Sequence, residues 1–268
     1  MLSVETARST DGSLLVQLRG ITKTFGAVQA LSKVDIDIPV GRVTALAGDN
    51  GAGKSVLIKT LSGLWGPDSG EILWEGQPIH LHSPKDAENL GITTIYQDLA
   101  LCDNLDIVQN MFLGHEDLRH GMLDESNMEL AARKTLTDLS VTTVRSIRQP
   151  VASLSGGQRQ SVAVAKAVLA QAKLVIMDEP TAALGVAQTH MVLDLIKRLA
   201  SHNVTVLMVS HNLNDVFAVA DSIAILHLGQ MVAAGPASDF DSQVVVDFMT
   251  TGRSTRASGN GRPGDLPN

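Results

Sequence analysis

The sequence predicts an α/β fold with a mixed sheet at its core, an antiparallel β layer and a helical subdomain. Two continuous apolar runs, at residues 43–47 and 174–177, are typical of parallel strands buried on both faces. Residues 34–38 instead alternate between apolar and acidic side chains, which is typical of an antiparallel strand with one face in water. From residue 106 to about 150, β-branched runs are sparse, and apolar positions recur at helical spacing over 126–139, which indicates a helical insert between strands.

Composition indicates a folded chain with protein partners. Hydrophobic residues make up 44% of the 268 residues, which is enough for a substantial core. The net charge of −7 argues against non-specific binding to nucleic acid, so no nucleic-acid partner is expected. The single cysteine, Cys102, excludes an internal disulfide framework. No apolar run approaches the roughly 20 residues of a membrane span, and the start of the chain lacks a signal-peptide pattern, so we expect a soluble chain that is not exported.

The two ends of the chain differ in composition from the part between them. Residues 1–13 are polar and aperiodic, and residues 251–268 are rich in Gly, Ser, Arg and Pro. Both segments are predicted to be disordered because they have too few apolar side chains to bury. One domain is therefore expected at 14–250, with its helical insert at about 106–170.

The domain begins with an apolar strand signal at residues 14–18, and the alternating strand at 34–38 follows. Between them, polar residues and a glycine flank Phe25, in a chain with only five Phe, two Trp and one Tyr. An aromatic ring in such a place can meet a ligand, although the core is the better prediction from this residue alone.

The run at 43–47 leads into a glycine-rich loop and then an apolar helix, which is the order strand, phosphate loop, helix. The glycines let the loop curl so that backbone N–H groups converge on a polyphosphate. Lys54 can reach the β- and γ-phosphates, Ser55 can offer its hydroxyl to Mg²⁺, and the helix directs its positive end at the anion. An ordinary glycine-rich turn is the alternative, which the complete motif disfavours. The predicted nucleotide-binding residues are Gly48, Asp49, Asn50, Gly51, Ala52, Gly53, Lys54 and Ser55.

Two further strand signals follow, at residues 71–74 and 92–95. The second leads directly to Tyr96, Gln97 and Asp98. Because an α/β sheet usually meets its ligand at the ends of its strands, Gln97 is a candidate site residue.

The insert after these strands has helical character. Residues 126–139 begin with a potential N-cap, Ser126, and continue with apolar positions at helical spacing. A helical segment between the phosphate loop and the later strands can serve as a partner surface or as a lid. Composition alone leaves both possibilities open.

A second glycine motif, LSGGQ at 154–158, precedes an apolar helix at 159–170. Ser155, Gly156, Gly157 and Gln158 place N–H groups and a hydroxyl at the positive end of that helix, which predicts a second anion site. An ordinary helix cap is the alternative, and it would be preferred if this were the only phosphate-binding motif.

Candidate catalytic groups lie at the ends of two later strands. The strand at 174–179 ends in Asp178, which suits Mg²⁺, and in Glu179, which suits the attacking water. The strand at 204–209 leads to His211, for which a structural role and contact with phosphate have about equal weight. The remaining predicted elements are a helix at 188–200, a hairpin at 222–234 and a final helix at 239–249.

In order and spacing, these motifs resemble those of an ATP-binding cassette, the nucleotide-binding subunit of ABC transporters. The resemblance covers residues 14–249 and rests on GDNGAGKS at 48–55, Gln97, LSGGQ at 154–158, LVIMDE at 174–179 and His211. In that family two cassettes dimerise head to tail, and each ATP lies between the phosphate loop of one subunit and the signature sequence, LSGGQ, of the other. The resemblance implies that Phe25 stacks on adenine and that Gln97 links Mg²⁺ to a transmembrane partner. It also implies that Glu179 polarises the attacking water and that His211 holds the γ-phosphate.

A narrower resemblance is to importers of monosaccharides such as ribose, xylose and fructose. It rests on IYQDLALCDNLDIVQNMFLG at 95–114 and DEPTAALGV at 178–186. Gly185 stands where most ABC proteins have Asp, as in many of these importers, which puts the usual coupling role of that acid in doubt. The resemblance implies ATP and Mg²⁺ as cofactors, a homodimer, a separate permease and, indirectly, an extracytoplasmic sugar-binding protein. It places the chain at the cytoplasmic face of the membrane.

Two other classes of protein compete with this interpretation. A soluble ABC ATPase of repair or translation typically carries a long coiled coil or a second cassette, and the sequence has neither. A metabolite kinase or GTPase would share only the phosphate loop and would leave LSGGQ unexplained.

Overall fold

The structure is a computed structural model that describes residues 13–141 and 143–254, so most of the termini predicted to be disordered, 1–12 and 255–268, lie outside the described residues. The strands are β1 (Leu14–Phe25), β2 (Val28–Pro39), β3 (Val43–Ala47), β4 (Ser69–Trp74), β5 (Gln77–Ile79), β6 (Ile92–Ile95), β7 (Leu118–Arg119), β8 (Met122–Leu123), β9 (Leu174–Asp178), β10 (Thr205–Val209), β11 (Ser222–His227) and β12 (Gln230–Pro236). The α-helices are α1 (Lys54–Leu61), α2 (Pro84–Asn89), α3 (Ile107–Phe112), α4 (Glu125–Asp138), α5 (Gly156–Leu169), α6 (Val186–Ser201), α7 (Leu213–Val219) and α8 (Ser242–Thr251). None of the helices described has the length and apolar character needed to cross a bilayer.

An antiparallel layer has the strand order β2-β1-β4-β5. In β2, Val34, Ile36 and Ile38 are buried whereas the aspartates between them are exposed, which confirms the predicted alternation. β1 extends beyond the predicted residues 14–18. Its pairing with β2 is interrupted by a register shift near Gly20, which has a positive φ of 61°, and the pairing then resumes and continues to Phe25.

The second sheet has the order β12-β11-β3-β10-β9-β6 and confirms the mixed sheet. Strands β11, β3, β10, β9 and β6 run parallel, and β12 adds an antiparallel edge. Because the ends of parallel strands meet at one edge, the loops after β3, β6, β9 and β10 lie together there. These loops carry the predicted phosphate loop, Gln97, Glu179 and His211.

Two apolar cores cover the two faces of this sheet. Along β10, Val206 and Met208 belong to the core that the sheet forms with α3, α4, α5 and α6. Leu207 and Val209 belong to the core that the sheet forms with α1 and the antiparallel layer. Burial on both faces explains why the sequence of this strand is continuously apolar.

The region 106–170 contains α3, the β7–β8 hairpin, α4 and α5. The N-cap of α4 is Asp124, whose side chain accepts from the N–H of Asn127 at 3.1 Å, so the predicted start at Ser126 was wrong. The hairpin was not predicted. Its two-residue turn at His120 and Gly121 has positive φ at both positions, which suits a tight hairpin turn.

The last helix ends later than predicted. It was placed at 239–249 but spans Ser242–Thr251, because Asp241 caps its start and Gly252, with φ of 70°, ends it. Thr251 therefore belongs to the folded domain and not to the tail. Ser13 also belongs to it, because its carbonyl accepts from the N–H of Val40 at 3.0 Å.

Candidate functional site

The phosphate loop joins β3 to α1, as predicted, and close packing against backbone atoms explains two of its glycines, Gly48 and Gly53. A Cβ atom on Gly48 would lie 2.5 Å from the carbonyl oxygen of Leu226, and one on Gly53 would lie 2.7 Å from that of Ala30. Gly53 also has a φ of 105°, which L side chains rarely adopt. The loop is therefore held tightly between the start of β2 and the end of β11.

The helix start after this loop is free to bind an anion. Gly53 is the N-cap of α1 and provides no side chain to accept from the first N–H groups. Lys54 is 8% exposed, and its Nζ donates to the carbonyl oxygens of Gly48 at 2.8 Å and Asp49 at 3.0 Å. The ammonium group thus lies across the loop, where it adds positive charge to the helix end.

A cavity of about 530 Å³, called the site cavity below, brings most of the predicted residues together. The predicted residues that line it are Asn50, Gly51, Ala52, Gly53, Lys54, Ser55, Gln97, Asp178 and Glu179. The lining residues that were not predicted from the sequence are Val28, Gln29, Ala30, Val56, Leu228 and Gly229. For Gly229 the sequence contains one clue, because this glycine lies at the turn of the predicted hairpin. In the structure its N–H donates to the carbonyl of Ala52, in the phosphate loop.

The oxygen donors that the sequence assigned to Mg²⁺ line this one cavity. Ser55 offers a hydroxyl, Gln97 an amide oxygen and Asp178 a carboxylate, which are the hard ligands that Mg²⁺ prefers. Among the described residues, no group of three or more His, Cys, Asp or Glu side chains is placed to hold a metal ion.

The electrostatics of Asp178 also suit a cation. Burial, reinforced by the negative charge of Glu179, raises the pKa of Asp178, while Lys54 and Lys59 oppose the shift. A bound cation would stabilise the ionised carboxylate that burial disfavours. The donor set therefore fits Mg²⁺.

Glu179 and His211 meet in the structure. Glu179 is the first residue after β9 and has a φ of 50°, in the left-handed region. Its N–H donates to the carbonyl of Val209 at 2.9 Å, which keeps the turn against the end of β10. Its Oε1 lies 2.8 Å from Nδ1 of His211, and the Glu179 side chain is 17% exposed against 60% for His211. His211 contacts this carboxylate but is not among the residues that line the site cavity.

The signature sequence lies apart from this cavity in the same chain. Ser155 caps α5: its Oγ accepts from the N–H of Gln158 at 3.4 Å, and Gln158 Oε1 accepts from the N–H of Ser155 at 2.9 Å. This is the helix cap that the sequence left as an alternative. Ser155 and Gly156 are exposed, and the hydrogen bonds among the described residues include none donated by the N–H of Gly156 or Gly157. The helix end can therefore still receive an anion from outside the chain.

The two glycines of the signature sequence also have a packing role. A Cβ on Gly156 would lie 2.7 Å from Cδ2 of Leu184, and one on Gly157 would lie 3.1 Å from Cβ of Gln188. The signature helix therefore rests on the segment that leads from Glu179 into α6. Gly185, in that segment, has no atom within 4 Å of an added Cβ, so packing does not require glycine there.

Phe25 lies outside the lining of the site cavity. It is 41% exposed, its ring meets that of Trp65 edge-on with centroids 4.8 Å apart, and Lys23 Nζ is 5.6 Å from its centroid. Taken alone it was predicted to be in the core, and that prediction was wrong. Trp65 is 40 residues away along the chain, and no sequence pattern indicates that the two rings pair.

The sequence model of the ABC transporter family matches residues 31–182, more than half of the chain. The chain belongs to the ABC transporter family. This cassette is therefore an ATP-binding protein and an ATPase, and the resemblance inferred from its motifs is confirmed.

Relatives of this cassette include ATP-binding proteins of sugar importers. The fructose import ATP-binding protein FrcA of Rhizobium meliloti is 45% identical over 243 residues, which cover 88% of this chain and 94% of that protein. The xylose/arabinose import ATP-binding protein XylG of Sulfolobus acidocaldarius is 43% identical over 237 residues, with the same coverage. The ribose import ATP-binding protein RbsA 1 of Rubrobacter xylanophilus is 40% identical, and this cassette spans only 47% of its length.

A solved structure confirms the predicted fold class. The ATP-binding cassette MJ1267 of an ABC transporter superimposes with a TM-score of 0.78 at 26% identity, and the match covers 88% of this chain and 96% of that one.

Proposed function

We propose that this ABC cassette hydrolyses ATP in a head-to-tail homodimer to drive import of a sugar, a monosaccharide, through a separate permease. The observation that carries the proposal is the site cavity, in which the phosphate loop, Asp178 and Glu179 lie together. The sugar assignment is supported by FrcA and the Sulfolobus XylG, because the cassette matches nearly their whole length. No observation favours a soluble ABC ATPase of repair or translation.

In this mechanism the loop binds and orients ATP and Glu179 polarises the attacking water. The α1 end and Lys54 hold the β- and γ-phosphates by backbone N–H donors and one ammonium. The Glu179 carboxylate accepts a proton from water as the water attacks the γ-phosphate. His211, which contacts that carboxylate, is assigned to the γ-phosphate, and Phe25 is assigned to the adenine ring.

Ser55, Gln97 and Asp178 would hold Mg²⁺ with the phosphates of ATP. The cation would supply positive charge to the β- and γ-phosphate oxygens as the bond between these phosphates breaks.

A second copy of the chain would complete each site. At the signature end of α5, Ser155 and Gly156 are exposed and Gly157 is buried, and this end lies outside the site cavity of its own chain. In a head-to-tail homodimer, the N–H groups of Gly156 and Gly157, with Ser155 and Gln158, would approach the γ-phosphate held by the partner. A cassette with a similar fold, MJ0796, is described as a dimer, which supports this proposal.

A groove on another face is assigned to the permease. This permease groove, about 730 Å³ in volume, lies between α2 and β6 on one side and α3 and α5 on the other. Tyr96 and Leu99, on either side of Gln97 in sequence, line it. A permease segment there would be linked to the site cavity through Gln97, and the cassette would lie at the cytoplasmic face of the membrane. A sugar-binding protein outside the membrane would deliver the sugar to the permease.

Sugar uptake tests the proposal. Cells that produce this cassette with a permease and sugar-binding protein encoded beside it should take up labelled fructose, xylose or ribose. Cells with Glu179→Gln should bind ATP but lose turnover by roughly 10²–10⁴-fold and should not accumulate sugar. The importer assignment would be contradicted if the cells took up no sugar and if neither sugar nor permease stimulated ATP hydrolysis by the wild-type cassette. Near-normal turnover by Glu179→Gln would contradict the mechanism.

A further inference from the structure

A buried carboxyl group behind the candidate site takes no part in the mechanism proposed above. Asp215, in the first turn of α7, is only 5% exposed. Its Oδ2 accepts two hydrogen bonds, from Thr181 Oγ1 at 2.6 Å and from Asn212 Nδ2 at 3.0 Å. A buried carboxyl group is tolerated only when it is hydrogen-bonded, and these two donors provide that compensation.

The two donors belong to the two loops that carry the candidate catalytic groups. Thr181 lies two residues after Glu179, and Asn212 immediately follows His211. The same loops are joined a second time where Glu179 Oε1 and His211 Nδ1 lie 2.8 Å apart. Asp215 therefore ties the loops together from the interior, behind the more exposed pair.

Backbone strain in the first loop makes such an anchor necessary. Glu179 and Ala183 have φ values of 50° and 59°, in the left-handed region that residues other than glycine rarely adopt. A strained turn persists only where surrounding contacts hold it. Thr181 lies midway between these two residues, and its hydroxyl anchors the turn to α7.

We propose that Asp215 is a positioning residue, which through Thr181 and Asn212 holds the loops of Glu179 and His211 in register. Its two hydrogen bonds keep the Glu179 carboxylate at the site cavity, with the His211 ring against it. The proposal rests on the function proposed above, in which Glu179 polarises the attacking water.

Replacing the donor tests this proposal with little change in volume. Thr181→Val removes the hydroxyl and should lower kcat by about 10- to 100-fold, because a misplaced catalytic group is costly even when it is present. The KM for ATP should stay within about twofold, since the phosphate loop is unchanged, and Thr181→Ser, which keeps the hydroxyl, should restore kcat.

Thr205→Val is the matched control. Thr205 is 1% exposed at the opposite end of β10, and its hydroxyl accepts from the N–H of Gly41 at 2.9 Å. This variant also loses one part-buried hydrogen bond and should lower thermal stability, but it should leave kcat unchanged. Equal kcat values for Thr181→Val and Thr205→Val would overturn the positioning role.

A double variant tests whether Thr181 acts through Glu179. If it does, Glu179→Gln with Thr181→Val should be no slower in single-turnover hydrolysis than Glu179→Gln alone. Losses that multiply would show that Thr181 does not act through Glu179 and would overturn the positioning of that carboxylate. Retained turnover in Glu179→Gln alone would contradict the proposed function and this role with it. If Glu179→Gln loses turnover but Thr181→Val has a normal kcat, the proposed function stands and the positioning role is overturned.

Discussion

Asp178 and Glu179 are adjacent acids with different environments. Asp178 is the last residue of β9 and is partly buried at the sheet edge, where burial and its neighbour's charge raise its pKa. Glu179 has already left the strand, and its carboxylate contacts His211. Because the chain turns between them, one acid is suited to a cation and the other to a water molecule.

The raised pKa of Asp178 predicts a stability effect that depends on pH. Below its ordinary value of 3.8 the carboxyl is protonated in both the folded and unfolded states, so its ionisation does not affect stability. As the pH rises above this value the unfolded state ionises first, which lowers the stability of the fold, and the loss is complete above the folded pKa. In the absence of nucleotide and Mg²⁺, Asp178→Asn should therefore have a higher Tm than the wild type at pH 7, with a smaller difference in acid.

Calorimetry at both pH values measures the effect. An Asp178→Asn protein that melts at or below the wild-type temperature at pH 7 would show that burial of this carboxyl carries no cost. The same variant should lose Mg²⁺-dependent ATP hydrolysis, because a carboxylate that binds a functional cation can be retained even though it lowers the stability of the fold.

Lys54→Ala should weaken ATP binding itself. The ammonium lies across the phosphate loop, and a charge-assisted hydrogen bond is worth about 1.5–3 kcal/mol, which corresponds to roughly a 10- to 100-fold loss in affinity. Lys134→Ala, at an exposed lysine of α4, is the control for loss of one positive charge. Unchanged ATP affinity of Lys54→Ala in a calorimetric titration would disprove the binding role.

The sequence predicted the buried strands of the second sheet better than the short helices. β3 and β6 have the predicted bounds, because each is a short run of aliphatic and threonine residues next to a glycine. The helices α2 and α7 were missed because six or seven residues are too few to show a helical period. For α2 a local signal was present, since Ser83 forms a capping box with Asp86.

Contacts between distant elements were beyond sequence reasoning. Asn110 in α3 is 1% exposed, and its amide bonds to both the N–H and the carbonyl of Cys102, which fixes the segment after Gln97. The bond from Thr181 to Asp215 is of the same kind. Spacing along one chain indicates which residues lie at strand ends, but it does not show which side chains then meet.

The permease groove makes a prediction at the scale of these elements. Ala170 lies exposed on its wall just after α5, so Ala170→Arg should fill part of it without disturbing the core. We expect normal ATP affinity but loss of association with the permease. Ala218→Arg, at an exposed alanine of α7 that does not line the groove, should associate normally. Co-purification of both variants with the permease at wild-type levels would assign the permease contact to another surface.

At the scale of the whole molecule, the site cavity and the signature sequence lie apart, but both contact the segment that runs from Glu179 into α6. Gly156 and Gly157 rest on Leu184 and Gln188, which follow Glu179 along the chain. ATP bound by the phosphate loop of a partner would contact the signature end of this chain. Through the packing of Gly156 and Gly157, this contact would affect the segment that follows Glu179 of the same chain. A dimer would in this way couple its two sites through each subunit.

Mixing two inactive variants tests the shared site most directly. Lys54→Ala damages the phosphate loop and Ser155→Arg damages the signature end, so each homodimer has two damaged sites. A tethered heterodimer pairs both changes in one site and leaves the other intact. It should recover single-turnover hydrolysis of about one ATP per dimer, in accord with a site built from two chains. A tethered heterodimer that binds ATP at its intact loop but hydrolyses no faster than the two homodimers would contradict the shared site.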